Sequence, residues 1–344
     1  MRHLTTMRPL PYRRQLLWRR IAIVLGAVLL FLLVFGVPLP SLYAFLPGPA
    51  RDVGRLINVS DKPTFSSEGK LYLTTVRVDT QVTFAEWVAD SLDPDRSIVT
   101  KGQVIPRGQS LEDLEKVQRA EMQESQRLAQ EVALVALGRQ PPSGDGALIE
   151  TTVEELPADG VLRPGDVIVS VDGRPVQTAC DAGQAVSAHG VGERVTLQIR
   201  RAGELEAFEL ETVAGPDTDA AVIGVSLSDV NYDFDPGVTV DFKTGHIAGP
   251  SAGLMFSLAL YDKLNAGDLT GGRRIAGTGT IGCDGEVGPI GGVEQKVAGA
   301  EAEGVDIFLA PTADAPAARR AANDIDVVSI ATFDDAVEYL EELS

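Results

Sequence analysis

From Ile21 to Val37 the chain carries no charge, and Leu39, Leu42 and Phe45 prolong the apolar run past Pro38 and Pro40. Taken as residues 21–42, the run approaches the roughly 20 residues that cross a bilayer as a helix. A single transmembrane anchor is expected there. A cleaved signal peptide has the same basic, apolar, Pro-rich order, but no small-x-small cleavage site follows the run. Gly69–Val78 (GKLYLTTVRV) then alternates as a strand does. Ser110 and Asp113 have the spacing of a capping box. They open a helix to about Leu137, with Leu111, Leu114, Val117, Leu128, Val132 and Val135 at helical intervals. The Gly138 to Gly146 stretch, rich in Pro and Gly, marks a domain boundary. Strands dominate from Ala147 to about Val213, with one short helix near Ala179–Ala188. After a linker at Gly215-Pro216-Asp217, strands (VTVDF, RRIAGTGTI, DIFLAP, VVSI) alternate with helices (Ala252–Lys263, Val293–Glu303, Ala315–Ala322, Phe333–Leu343). That alternation is an α/β or α+β signature.

The chain thus divides into a basic N-terminus (1–20), the apolar run (21–42), a strand and helix segment (54–140) expected to pack with the last domain, a mainly-β domain (145–214) and an α/β domain (222–344). Its length of 344 residues accommodates two compact domains beside an anchor. Charge sharpens the division. Residues 1–50 hold Arg2, Arg8, Arg13, Arg14, Arg19 and Arg20 and no acid, so the net charge of −19 becomes −25 for the remainder. The arginine flank keeps the N-terminus cytoplasmic by the positive-inside bias and puts the domains outside. So acidic a surface repels phosphate backbones, which argues against nucleic-acid binding and points to polypeptide partners. Two cysteines, Cys180 and Cys283, fall in different domains. A disulfide framework is excluded and no Cys/His cluster offers a zinc site. Two unpaired buried thiols are expected, with one interdomain disulfide as the alternative.

Candidate chemistry concentrates in the last domain. Gly249-Pro250-Ser251-Ala252-Gly253 joins a strand to the apolar helix LMFSLALY, which places Ser251 at a helix N-terminus. Backbone N–H groups there can hold an oxyanion; the plainer alternative is an N-cap serine. A nucleophilic serine needs a base. His246, the domain's only histidine, lies five positions before Ser251 in the same loop, so a Ser251–His246–Asp241 triad stays conceivable. Lys263 stands about 18 Å along the helix, and Lys243 sits in a loop. Lys296 occupies a second Gly-rich strand-to-helix junction, Gly288 to Lys296, where loss of solvation lowers a lysine pKa toward the range of a general base. An ordinary solvated helix lysine is the alternative.

Two stretches resemble known families. Leu162-Arg-Pro-Gly-Asp-Val-Ile-Val-Ser-Val-Asp-Gly-Arg-Pro-Val176 is similar to the corresponding stretch of PDZ domains, which bind extended peptide termini along a sheet edge. By that resemblance the carboxylate-receiving loop precedes Ala147, although Gly144-Asp145-Gly146 departs from the usual apolar loop. GPSAG followed by Thr278-Gly-Thr-Ile-Gly-Cys-Asp-Gly-Glu-Val-Gly-Pro-Ile-Gly-Gly-Val-Glu-Gln-Lys296 resembles the proteolytic domain of Lon-type serine peptidases. The closing DIFLAP and IDVVSIATFDDAVEYL extend the likeness. The whole is similar to the membrane-anchored, PDZ-containing Lon-like peptidases of bacteria.

That resemblance implies a serine endopeptidase in which Ser251 is the nucleophile, Lys296 the general base and Thr278 the hydroxyl that orients the lysine. Thr280 departs from the acidic residue common at its position. No G-x-x-x-x-G-K-[ST] occurs, so neither ATP nor another cofactor is expected. The resemblance also implies membrane attachment through the N-terminal helix and a homo-oligomeric ring. A non-catalytic PDZ adaptor and a secreted Ser-His-Asp hydrolase are the competing functions.

Overall fold

The computed structural model describes residues 12–106, 108–215 and 220–343. Residues 1–11, with Arg2 and Arg8, and 216–219 of the expected linker lie outside them. Helix α1 spans Tyr12–Phe35. It stops three residues before Pro38, which lacks an N–H and disfavours helix in the residue before it. The charge-free part of α1 rises only about 22 Å at 1.5 Å per residue, against a hydrocarbon core of about 30 Å. Among the described residues no helix is long and apolar enough to cross a membrane. The anchor expected over 21–42 is therefore not supported. Leu42 and Phe45, counted toward it, belong instead to strand β1 (Leu42–Pro47), whose Tyr43, Ala44 and Leu46 are buried.

The segment after β1 is woven into the C-terminal domain. It contributes β2 (Arg51–Asp52), β3 (Ile57–Ser60), β4 (Lys70–Leu73), β5 (Val76–Asp79), α2 (Phe84–Asp90), β6 (Ser97–Thr100), α3 (Lys101–Val104) and α4 (Leu111–Ala136). The strand read as 69–78 is two strands. It breaks at Thr74-Thr75, where the Thr74 hydroxyl donates to Gly277 O (3.3 Å) and Thr75 O accepts from Gly48 N (3.0 Å). β4 then enters a five-stranded sheet, while β5 joins the order β5-β1-β6. At the start of α4 the Ser110–Asp113 capping box is present.

The middle of the chain forms β7 (Ala147–Thr152), β8 (Val167–Val171), β9 (Arg174–Pro175), α5 (Ala179–Ser187), β10 (Arg194–Arg201), β11 (Glu204–Glu211), β12 (Val213–Ala214), β13 (Ala221–Val222) and β14 (Val225–Asp229). Its main path runs β11-β10-β8-β7-β14. β10 shows why this segment is a strand: Val195, Leu197 and Ile199 are fully buried while Arg194, Thr196 and Gln198 face solvent. The Asp172-Gly173 turn has both residues at positive φ (48° and 77°), as a two-residue hairpin turn requires. β14 lies beyond the expected limit of this domain. Val225 and Leu227 pack on its core, so residues 225–229 complete this sheet rather than open the next domain.

The last domain comprises β15 (Thr239–Phe242), α6 (Gly253–Leu264), β16 (Arg274–Gly277), β17 (Thr280–Ile281), β18 (Val287–Gly288), α7 (Val293–Ala302), β19 (Ile307–Pro311), α8 (Ala315–Ala321), β20 (Asp326–Ile330) and α9 (Phe333–Glu341). Its sheet is ordered β2-β4-β16-β19-β20, parallel except for β2. Helices cover both faces, so β19 is buried at every residue, as a parallel interior strand should be. Leu71, Leu73, Ile275, Ile307 and Leu309 meet α4, α6 and α9 on one face. Tyr72, Ala276, Phe308 and Ala310 meet α7 and α8 on the other.

Candidate active site

α6 is buried from Gly253 to Leu260, because α4, the sheet and α9 surround it. It comes close to β17 only because residue 253 is glycine: a Cβ there would lie 2.6 Å from Ile281 Cγ2. The cap of α6 is Ala252, with no side-chain bond, so Ser251 is not the N-cap of the sequence alternative. Its hydroxyl turns instead toward Lys296. Lys296 sits one turn into α7, after Gly292 whose left-handed φ of 70° starts the helix.

Lys296 Nζ lies 2.8 Å from Ser251 Oγ and donates to Thr278 Oγ1, also at 2.8 Å. Thr278 Oγ1 in turn donates to Ser251 O (3.0 Å), and Gly279 N donates to the same carbonyl (2.9 Å). The segment Thr278-Gly279 thus fixes both the Ser251 backbone and the Lys296 amine. Lys296 is only 3% exposed. Burial pushes its ammonium down to about 7, with Asp314 pulling partly back. Asp314 is itself raised by burial and accepts from Ile290 N (2.9 Å). Among the described residues no backbone hydrogen bond engages the N–H of Ser251 or Ala252.

The structure therefore brings Ser251, Lys296 and Thr278 together. It leaves His246 exposed on the cleft wall, with no bond to Ser251 among the described residues. Thr74, which steadies Gly277, and Asp314 escaped the sequence reading. Asp314 follows DIFLAP closely and its proximity to Lys296 is created by folding alone. Thr74, His246, Ser251 and Lys296 border a cleft of about 920 Å³ that includes β5, the loop 243–250 and the start of α7.

A family model described as PDZ domain matches residues 108–212, and one described as Lon protease (S16) C-terminal proteolytic domain matches residues 235–340. The chain carries a PDZ domain and a Lon-type proteolytic domain. The latter is the domain of a serine-type endopeptidase. A Lon protease of Roseiflexus castenholzii is 38% identical over 93 residues, 26% of this chain and 11% of that protein. A "Probable periplasmic serine endoprotease DegP-like" of Pseudomonas putida is 36% identical over 78 residues, 22% of this chain and 16% of that protein. The magnetosome formation protease MamE of Magnetospirillum gryphiswaldense is 35% identical over 83 residues, 24% of this chain and 10% of that protein. The chain thus spans less than a fifth of the length of these relatives. Among solved structures, the PDZ domain of an SdrC-like protein from Listeria monocytogenes is 23% identical, covering 24% of this chain and 87% of its own, at a TM-score of 0.23.

In the loop expected to receive a carboxylate, Asp145 N donates to Val230 O (2.8 Å) and Gly146 N to Gln177 O (3.0 Å), so two of its three backbone donors are engaged internally. The sheet ends at β11 on one side and at β14, beside α5, on the other, and a cavity of about 730 Å³ lies between α5, β14 and α4. Across this cavity Cys180 on α5 is bonded to Cys283 in the β17–β18 hairpin. The expectation of two free thiols is thereby corrected: folding sets their Cα atoms 6.1 Å apart, within disulfide reach.

Proposed function

We propose that the protein is an ATP-independent, extracytoplasmic serine endopeptidase using a Ser251–Lys296 dyad. The observation that carries this reading is the buried Nζ of Lys296, 2.8 Å from Ser251 Oγ, with its pKa lowered to about 7. A neutral amine takes the hydroxyl proton as Oγ attacks the scissile carbonyl. The Ser251 and Ala252 N–H groups stand ready for the oxyanion. Lys296, now an ammonium, returns the proton to the leaving amine, and water attacks the acyl-enzyme with the neutral lysine again as base. Thr278 holds Nζ in line throughout. β5, the open edge of its sheet, gives an extended substrate backbone a place to add as a strand. The PDZ domain presents unfolded or membrane-protein segments to this cleft.

An oxidising compartment is supported by the Cys180–Cys283 bond, since disulfides rarely persist in the cytosol. The arginine flank before the apolar stretch of α1 is what remains in favour of a single-pass arrangement with the N-terminus inside. The absence of a phosphate-binding loop motif supports independence from ATP. Oligomerisation as a ring rests on resemblance to Lon-like peptidases. Incubation with unfolded casein, without nucleotide, should give cleavage by the native chain and none by Ser251→Ala. Equal cleavage by both would refute the dyad.

A further inference from the structure

The cleft beside Ser251 differs in charge from the molecule around it. The chain holds 49 Asp and Glu against 30 Lys and Arg, yet no Asp or Glu is among the described residues that line this cleft. Three exposed cations do line it: Arg51, Arg77 and Lys243. Of the nearby carboxylates, Asp314 acts on Lys296 and accepts from Ile290 N (2.9 Å), and two others are engaged elsewhere. Asp52 faces Arg55 (3.3 Å) and Lys70 (4.0 Å), and Asp79 accepts from Gln81 N (2.8 Å).

All three cations are attached to the segments that build the dyad. Arg51 pairs across β2–β4 with Leu73, the residue before Thr74. Arg77 follows Val76, whose side chain lies against Gly292 at the start of α7. Lys243 is anchored by its N–H to Leu56 O (2.7 Å) and begins the loop that ends at Ser251. With its pKa lowered to about 7, Lys296 carries a charge in only about half the molecules at pH 7, so these three side chains supply most of the positive field lining the cleft. A concave, partly apolar wall focuses that field on whatever lies in it.

We propose that the cleft selects polypeptide segments carrying Asp or Glu beside the scissile bond, with Arg51, Arg77 and Lys243 as the specificity-determining residues. The inference rests on reading Ser251–Lys296 as a peptidase dyad. The chain's net negative charge repels acidic segments on the whole, whereas these three charges attract them to the cleft.

Three internally quenched peptides, identical except for Glu, Gln or Lys at two positions on each side of one scissile bond, test the proposal on the purified full chain. At low salt kcat/KM should favour the Glu over the Lys peptide by about ten-fold, three exposed charge contacts each contributing about two-fold. At about 1 M salt, where the screening length is about 3 Å, the ratio should approach one. Combined Arg51→Glu, Arg77→Glu and Lys243→Glu should invert the order. Measurable hydrolysis with equal Glu and Lys rates at low salt would overturn the selectivity and leave the dyad standing. Fluorescence anisotropy with Ser251→Ala separates the two readings: preferential binding of the Glu peptide upholds the selective cleft even if the native chain cleaves nothing, and equal binding overturns it.

Discussion

Two buried ionisable groups, one in each domain, meet opposite fates. In the PDZ domain Arg201 grips Asp166 with two bonds, Nε to Oδ1 at 2.8 Å and Nη2 to Oδ2 at 2.7 Å. That guanidinium holds the Asp166 carboxyl below the usual carboxylate range, against the opposing effect of burial. In the Lon-type domain Lys296 is as well buried as Asp166 but touches only two hydroxyls, and burial lowers its pKa to about 7. A buried charge that is paired stays charged and serves the fold; one left without a counter-ion gives up its proton and becomes available for chemistry. The choice of side chain fits: guanidinium cannot deprotonate in a protein, whereas an ammonium shifts readily.

The comparison breaks most sharply at Lys296→Arg. This change keeps a cation but removes a base, so peptide hydrolysis should fall by about a thousand-fold or more, the upper range attributed to a general base. Retained activity in steady-state assays would mean that the lysine acts only through its charge. In the native chain kcat/KM should rise with pH through about 7 as the ammonium is lost. Stability follows the same titration. The folded pKa lies below the ordinary lysine value of 10.5, so burial of the ammonium destabilises the fold fully below pH 7 and not at all above pH 10.5. The melting-temperature gain of Lys296→Met should therefore be widest below pH 7 and close as pH climbs through that window.

The PDZ half of the comparison is probed by Asp166→Ala. Removing a buried, doubly bonded carboxylate should cost about 1–3 kcal/mol in chemical denaturation of the full chain. No loss would show that the pair is decorative.

Thr278→Val leaves both reacting groups and removes one orienting bond. It should lower kcat by about ten-fold, near the worth of one hydrogen bond to a charged partner. A loss as large as that of Lys296→Arg would promote Thr278 from positioning to chemistry. The smallest effect is expected from His246→Ala, which should hold within about three-fold of native activity. An inactive variant would revive the triad.

The two strand-to-helix junctions were readable from their glycines, while the pairing of Ser251 with Lys296 was read from the resemblance to Lon-type peptidases. Glycine at 253 and 292 records a close approach or a left-handed backbone that no other residue supplies cheaply. The capping box of α4 and the alternation of β10 were equally legible, being local patterns. What escaped was nonlocal. Leu42 and Phe45 read as a continuation of the apolar run, since composition does not show where a helix gives way to a strand buried under other elements. β14 sits in sequence with the last domain and in space with the PDZ sheet. Cys180 and Cys283 are 103 residues apart, and only the docking of α5 against the β17–β18 hairpin pairs them. The cations of the cleft come from three separated segments and gain meaning only from the missing carboxylates around them.

The disulfide also sets an order of events. Its halves belong to domains made at different times, so the bond closes only once α5 and the hairpin beside Thr280 have both been synthesised and brought together. A chain kept in a reducing compartment never receives it. The covalent state of two cysteines thus records whether the two domains have docked under oxidising conditions: a chain with the bond carries a PDZ domain that cannot drift away from the Lon-type domain, and a chain without it is distinguishable by its free thiols alone.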